Sequence, residues 1–356
     1  IHYCYDLLEA NPVIRPVEQI PLELSRKLRS IIDSIRKLFM ITYVDKSPNT
    51  LCLVCLNQAY TLLKREFDSN EQYIAAERDD TTIFGQHRYI QKKYGLYLPK
   101  SVRQNKNIRH PRLIFVPKLH KLHPKTQESI LKARFIAGAN DSSFAPFAGA
   151  MTSFFSSITP LLDIHWSTQL ASSDMPIFCR NKVLVNGAYD VIDRMKTFNN
   201  QRRASGTKDP PDLRTYDFAS FYPSLDHKDL RDKLPALVHL LWGYLPRHTV
   251  VAINTKSGDS EHVRQGDIPA VTPPHVIYMS SKGGKTRHDV KIEKFGEMLS
   301  VLLDNCYMHH AGVTKRLIRG IPMGFSCCVY LANFYLYYYE QKWISEALIA
   351  NRHYEL

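Results

Sequence analysis

The segment Thr215-Tyr216-Asp217-Phe218-Ala219-Ser220-Phe221-Tyr222-Pro223-Ser224-Leu225 closes a short β-prone run, residues 213–218, near an aspartate and carries an aromatic residue five positions beyond it in a proline turn. A carboxylate at a strand end, with an open backbone carbonyl beside it, offers the hard oxygens that magnesium prefers and leaves room for phosphate oxygens. The same aspartate serves equally well as a turn or cap residue, so this segment alone leaves two readings open. Immediately after it, Asp226-His227-Lys228-Asp229 predicts a helix start with Asp226 as N-cap.

Two further segments bear on this one. Downstream, Gly320-Ile321-Pro322-Met323-Gly324-Phe325-Ser326 combines two glycines with a proline, a pattern for a tight turn that lets another backbone approach closely. Upstream, Phe115-Val116-Pro117-Lys118-Leu119-His120-Lys121 reads as a strand running into a basic loop, with Ala133-Arg134-Phe135-Ile136-Ala137-Gly138 as its returning partner. Lys118, Lys121, Lys132 and Arg134 then lie on both arms of a hairpin, where cations can clamp phosphates. His120 and His123 have HxxH spacing but no third ligand nearby, which does not support zinc.

The remaining pattern is mixed helix and strand. Residues 22–39 have the periodicity of an amphipathic helix, and the β-prone runs 40–44 and 51–56 bracket a turn at 45–50. Helices are expected over 58–67 and 147–170, a linker over 197–211, an irregular insertion over 254–292 and a long tyrosine-rich helix over 326–350. In that last helix Tyr335, Tyr337, Tyr338 and Tyr339 suit core and interface packing better than a base-stacking platform.

The chain has 356 residues, enough for two or three packed units, and its 44% hydrophobic and 23% charged composition is that of a globular protein. No apolar run reaches the 18 or so residues of a membrane span. Lys and Arg number 47 against 34 Asp and Glu, a formal charge of +13 that favours a polyanionic partner. The excess is local: from Arg88 to Arg134 there are 13 Lys or Arg and one acid, Glu128. Nucleic acid is the expected partner, and a merely solvated basic face is the alternative. Seven cysteines without disulfide-framework spacing suit a reducing intracellular compartment. Cys52 and Cys55 form a CxxC pair inside an apolar run, which reads as a core strand rather than a zinc site. A start at Ile1 suggests a processed product or a piece of a longer protein, and no targeting signal is read from it.

Taken in order, Val44-Asp45-Lys46, Val116-Pro117-Lys118-Leu119-His120-Lys121, Arg134-Phe135-Ile136-Ala137, Tyr216-Asp217-Phe218-Ala219-Ser220-Phe221-Tyr222 and Gly320-Ile321-Pro322-Met323-Gly324 with Leu331-Ala332-Asn333 resemble the reverse transcriptase domain of Penelope-like retroelements, relatives of telomerase reverse transcriptase. The resemblance spans about residues 40–345. It implies an α+β right-hand polymerase of fingers and palm, truncated before the second palm carboxylate motif and the thumb. The implied division is an N-terminal helical extension at 1–40, a fingers-like region with the basic hairpin at 41–210, and a partial palm at 211–356 containing the insertion.

By the same resemblance, Asp217 is the first carboxylate of a two-metal Mg2+ site, with the Phe218 carbonyl as a further ligand. Tyr222 is the aromatic that excludes a ribose 2′-hydroxyl. Lys132, Arg134, Pro322, Met323 and Gly324 belong to nucleotide binding, and Lys118, His120, Lys121 and Gly320 to nucleic-acid binding. The chain departs from the family at Phe325-Ser326-Cys327-Cys328-Val329-Tyr330, where a small-polar and proline pattern is usual, and it reaches Leu356 before the expected aromatic-x-Asp-Asp hairpin.

Two functions follow as expectations. The first is an RNA-directed DNA polymerase of a retroelement, acting on an RNA or DNA template-primer, whole or completed by a second polypeptide. The alternative is a non-catalytic, reverse transcriptase-derived RNA-binding component of a ribonucleoprotein such as an organellar ribosome. The resemblance implies a nuclear location, a mitochondrial one is the alternative, and no membrane partner is expected in either reading.

Overall fold

The computed structural model describes residues 22–69, 71–94, 109–119, 131–139, 142–171, 188–204, 206, 217, 218, 220–244, 249–254, 260–264, 276–280, 287–291 and 294–349. The fold is mixed α+β. It divides into two units, one of Ile1–Glu66 with Phe115–Arg134 and the other of Phe67–Ile114 with Phe135–Leu356. This division is discontinuous in sequence.

The first unit opens with α1 (Leu22–Arg36), and then β1 (Phe39–Val44) and β2 (Ser47–Cys55) pair antiparallel. Their register sets Phe39 opposite Cys55, Ile41 opposite Leu53 and Tyr43 opposite Leu51, then shifts so that Val44 meets Ser47. The turn is therefore Asp45-Lys46 rather than the six residues expected, and Lys46 takes a left-handed φ of 65°. Strand alternation puts Thr42 and Val54, both buried, on one face, and leaves Tyr43, Leu51 and Leu53 exposed on the other. Cys52 and Cys55, three residues apart on one strand, fall on opposite faces, as strand geometry requires. The helix α2 (Leu56–Phe67) starts where the Leu56 amide donates to the Leu38 carbonyl, 2.9 Å away.

A five-stranded sheet has the order β3-β11-β10-β4-β5 and is made of β3 (Tyr73–Ala75), β4 (Arg112–Pro117), β5 (Ala133–Gly138), β10 (Tyr307–His310) and β11 (Val313–Leu317). The unit boundary falls within β4 and β5. Among the described residues, the helices of the second unit are α3 (Asp80–Lys93), α4 (Ala145–Ala171), α5 (Ala188–Ala204), the one-turn α6 (Phe221–Ser224), α7 (His227–Trp242), α8 (Phe295–Asp304) and α9 (Cys328–Ile349). In α7 the buried residues Leu230, Leu234, Leu237, Val238 and Leu241 recur every three or four positions, and α8 repeats this with Phe295, Met298, Leu299 and Leu302. These faces meet α4 and α9 in one aromatic core. Phe155 of α4 lies 5.4 Å from Phe295 of α8 and 5.0 Å from Phe334 of α9, ring centre to ring centre. Each such fully buried side chain contributes about 1.5–3 kcal/mol over leaving it in water.

The structure corrects two expectations. The supposed irregular insertion at 254–292 contains strands: β6 (Thr249–Asn254), β7 (Ser260–Arg264), β8 (Val276–Ser280) and β9 (Arg287–Lys291) form a second sheet in the order β7-β6-β8-β9. Short β-branched runs such as Thr249-Val250-Val251 and Val276-Ile277 carry it, and the Gly, Pro and Ser residues that dominate the composition lie mostly between the strands. The supposed linker at 197–211 is helical through Ala204, because α5 runs on through Lys196, Arg202 and Arg203, all good helix formers. The β-prone run at 213–216 lies outside the described residues, and Asp217 and Phe218 have no regular secondary structure.

Candidate functional site

Asp217 is exposed in the second unit, just before a one-turn helix. Phe218, 56% exposed, stacks on Phe221 with ring centres 4.7 Å apart, which covers one side of that turn. The helix α6 closes with the Ser224 amide on the Ser220 carbonyl and the Ser224 hydroxyl on the Phe221 carbonyl. Pro223 is tolerated there because first-turn amides have no intrahelical acceptor. Asp226 then caps α7, its carboxylate accepting from the Asp229 amide at 3.0 Å, as the sequence predicts.

This turn is bound to the glycine loop by three hydrogen bonds. The Ile321 amide donates to the Tyr222 carbonyl (3.0 Å), the Gly320 amide donates to the Leu225 carbonyl (2.7 Å), and His227 Nε2 donates to the Gly320 carbonyl (2.7 Å). Gly320 has a φ of 81°, and a Cβ there would stand 2.9 Å from both Pro223 Cα and the Tyr222 carbonyl oxygen. Only glycine satisfies both the left-handed backbone and the close approach. Burial pushes the His227 imidazole below its ordinary pKa, against the opposing pull of the Gly320 carbonyl, so the neutral Nε2–H tautomer is the one that serves this bond.

The other end of the loop is fastened to β5. The Ala137 amide donates to the Met323 carbonyl at 2.5 Å, and Gly324, at a φ of 134°, faces the Ala137 carbonyl so closely that any Cβ would overlap it. Between these points Pro322 offers its carbonyl to the Phe325 amide and to Cys328 Sγ. Gly320 and Pro322 are buried, Met323 is half-buried and Gly324 exposed. The Ser326 hydroxyl accepts from Thr152 of α4 at 2.7 Å. Asp229 of α7 accepts from the hydroxyls of Tyr335 (2.7 Å) and Tyr339 on α9. Burial pushes that carboxyl up, but the two hydroxyls and the Lys233 charge more than compensate and hold it below the usual range. Tyr337 is fully buried and bonded to His165, as a core tyrosine would be.

The basic residues belong to the first unit. The Lys118 amide donates to the Lys132 carbonyl at 2.8 Å, which sets these two residues across from one another on the hairpin arms. Lys118 is half-buried and Lys132 exposed. Arg134 Nη1 lies 3.2 Å from Oδ1 of the buried Asp45. His120 and Lys121 lie outside the described residues.

Magnesium takes six oxygens in near-octahedral geometry. The sequence offers Asp217 and the Phe218 carbonyl as two such oxygens, as an expectation, and among the described residues no group of three or more His, Cys, Asp or Glu is placed to hold a metal ion. The described residues therefore do not complete the expected two-metal site. Two residues, one in each unit, that anchor these segments were not singled out from the sequence. His227 carried a faint signal, its place directly after the N-cap. Asp45 stood out only within a motif, and nothing in spacing pairs it with Arg134, 89 positions away.

Among the described residues no helix is long and apolar enough to cross a membrane. The chain matches no family model, and no curated protein matches its sequence. Among solved structures it is similar to apo telomerase from Candida tropicalis truncated from its C-terminal domain, with 11% sequence identity and a TM-score of 0.43. The match covers 90% of this chain and 50% of that one, so the chain spans about half the length of the telomerase structure. At that identity and score the likeness assigns neither family nor activity.

Proposed function

We propose that this chain is part of a template-directed nucleic-acid polymerase of the reverse transcriptase type, with Asp217 as its first metal-binding carboxylate. One observation supports this reading above the others. Three segments far apart in sequence and singled out from it, at Tyr222, at Gly320–Gly324 and at Ala137, meet through backbone hydrogen bonds in one unit, and an exposed aspartate, Asp217, precedes Tyr222 by five positions along the chain. Two of those junctions admit only glycine, so the loop's position is dictated by close backbone approach rather than by adaptable side chains. On this reading the rigid loop supports the incoming nucleotide, Tyr222 faces its sugar, and Lys118, Lys132 and Arg134 engage phosphates. A bound Mg2+ would supply charge neutralisation at the transferred phosphate, and it requires carboxylates additional to Asp217.

The test is incorporation of labelled deoxynucleotides on a primed RNA template by the complete natural protein, alongside binding of the same duplex. Template-dependent incorporation is the expected result. Tight, salt-sensitive binding with no incorporation under any divalent ion would replace the polymerase reading with that of an RNA-binding structural component.

A further inference from the structure

The geometry points to Asp45 as the positioning residue for Arg134: it holds one edge of the guanidinium and leaves the remaining donors for a phosphate of bound nucleic acid. This rests on the reading of the basic hairpin as a nucleic-acid contact and assigns a role inside it to an acidic residue.

The pair is asymmetric. The Asp45 side chain is 4% exposed and that of Arg134 is 41% exposed, so the acid is the buried anchor and the base is the half that solvent reaches. Contact is through one oxygen only, Oδ1 to Nη1 at 3.2 Å, while Asp45 Oδ2 is buried with no hydrogen-bond partner among the described residues. A pair arranged for stability would use the bidentate fork that matches guanidinium to carboxylate and would leave no buried oxygen unsatisfied. Among the described residues the fork is engaged at a single nitrogen, which leaves most of its five N–H donors for another acceptor.

The anchor is also held in place. The Asp45 amide donates to the Pro117 carbonyl (2.9 Å) and the Thr42 hydroxyl to the Phe115 carbonyl (2.8 Å), which fasten the end of β1 along β4. The Lys118 amide on the Lys132 carbonyl (2.8 Å) ties that arm to the one bearing Arg134. Carboxylate and guanidinium thus project from two mutually fixed backbones. Next to Asp45, Lys46 adopts a left-handed φ of 65°, which glycine takes freely and lysine does not, so the turn is kept against local preference.

Charge alone makes the opposite prediction, because deleting an acid from a basic surface should tighten polyanion binding. That difference in sign makes the experiment decisive. Binding of a fluorescein-labelled RNA–DNA hybrid to the full-length protein is measured across a salt series, with a thermal melt for each variant. Arg134→Ala should weaken binding by roughly tenfold and lower the slope of log affinity against log salt by about one. Asp45→Ala should do the same despite removing a negative charge, the double variant should be no weaker than Arg134→Ala, and Asp45→Asn, which keeps an acceptor facing Nη1, should restore the wild-type slope. Arg134→Lys, which keeps the charge but has no fork to bridge two acceptors, should behave like Arg134→Ala, and this variant carries the test if Asp45→Ala does not fold. Tighter or unchanged binding by a folded Asp45→Ala, additive losses in the double variant, or a wild-type slope in Arg134→Lys would overturn the positioning role alone. An Arg134→Ala protein with unchanged affinity and slope would overturn the hairpin reading as well.

Discussion

Gly320 lies so close to Pro223 that a side-chain carbon on the glycine would stand 2.9 Å from the proline Cα, and this approach is what seats the glycine loop on the Tyr222 turn. Gly320→Ala therefore meets both a positive φ of 81° and a backbone overlap, and Gly324→Ala meets a worse overlap with the Ala137 carbonyl. Gly312 provides the control, with a φ of 83° and nothing within 4 Å of the place a methyl would take. Gly312→Ala should cost about 1 kcal/mol from backbone preference alone. Gly320→Ala and Gly324→Ala should each cost at least about 3 kcal/mol or fail to fold. Equal melting temperatures for all three variants would show that the loop is not held as described.

His87 gives the fold a specific acid sensitivity. Burial first, and the nearby His110 second, push its imidazole from the ordinary 6.5 down to about 3, while Nδ1 shares a 2.7 Å hydrogen bond with the Ser143 hydroxyl. The unfolded chain protonates this histidine below pH 6.5 and the folded chain does not until about 3. Stability is therefore complete above the unfolded value and falls as pH drops through that window, by about 2 kcal/mol at pH 5. Urea titrations at pH 7 and pH 5 should show this loss in the wild type and a loss smaller by about that amount in His87→Gln. An identical pH dependence in the two proteins would contradict the assignment.

What could be read from the sequence was local. The Asp226 cap and the strand pair β1–β2 follow from spacing and turn chemistry within a dozen residues. The pair of glycines at 320 and 324 announced a close backbone approach, but the sequence had no means of naming Pro223 and Ala137 as the partners. The four strands between Thr249 and Lys291 were hidden because each is five or six residues long and sits among turn-forming residues that dominate any wider window. Exposed Leu51 and Leu53 also show that an apolar strand need not be buried on both faces. The Asp45–Arg134 pair, which joins a turn to a distant strand, is the kind of non-local relationship that periodicity never encodes.

Tyr222 joins the loop through its backbone carbonyl, which accepts from the Ile321 amide. Tyr222→Ala should accordingly leave the loop attached while removing the aromatic body that the polymerase reading sets against the sugar. Incorporation assays with matched deoxyribonucleotides and ribonucleotides should show discrimination against ribose falling by roughly tenfold or more, with deoxynucleotide incorporation largely retained. Unchanged discrimination would remove the ring from sugar selection.

Asp217 is exposed, so replacing its carboxylate by an amide disturbs no packing and tests chemistry alone. Primer extension by the complete natural protein, compared between wild type and Asp217→Asn at matched duplex occupancy, is the most direct measurement of the proposed activity. A metal-binding role for this carboxylate predicts duplex binding within about twofold of wild type and extension reduced by at least about a hundredfold, the scale on which loss of a metal-bound charge acts. Extension by Asp217→Asn at the wild-type rate would contradict it.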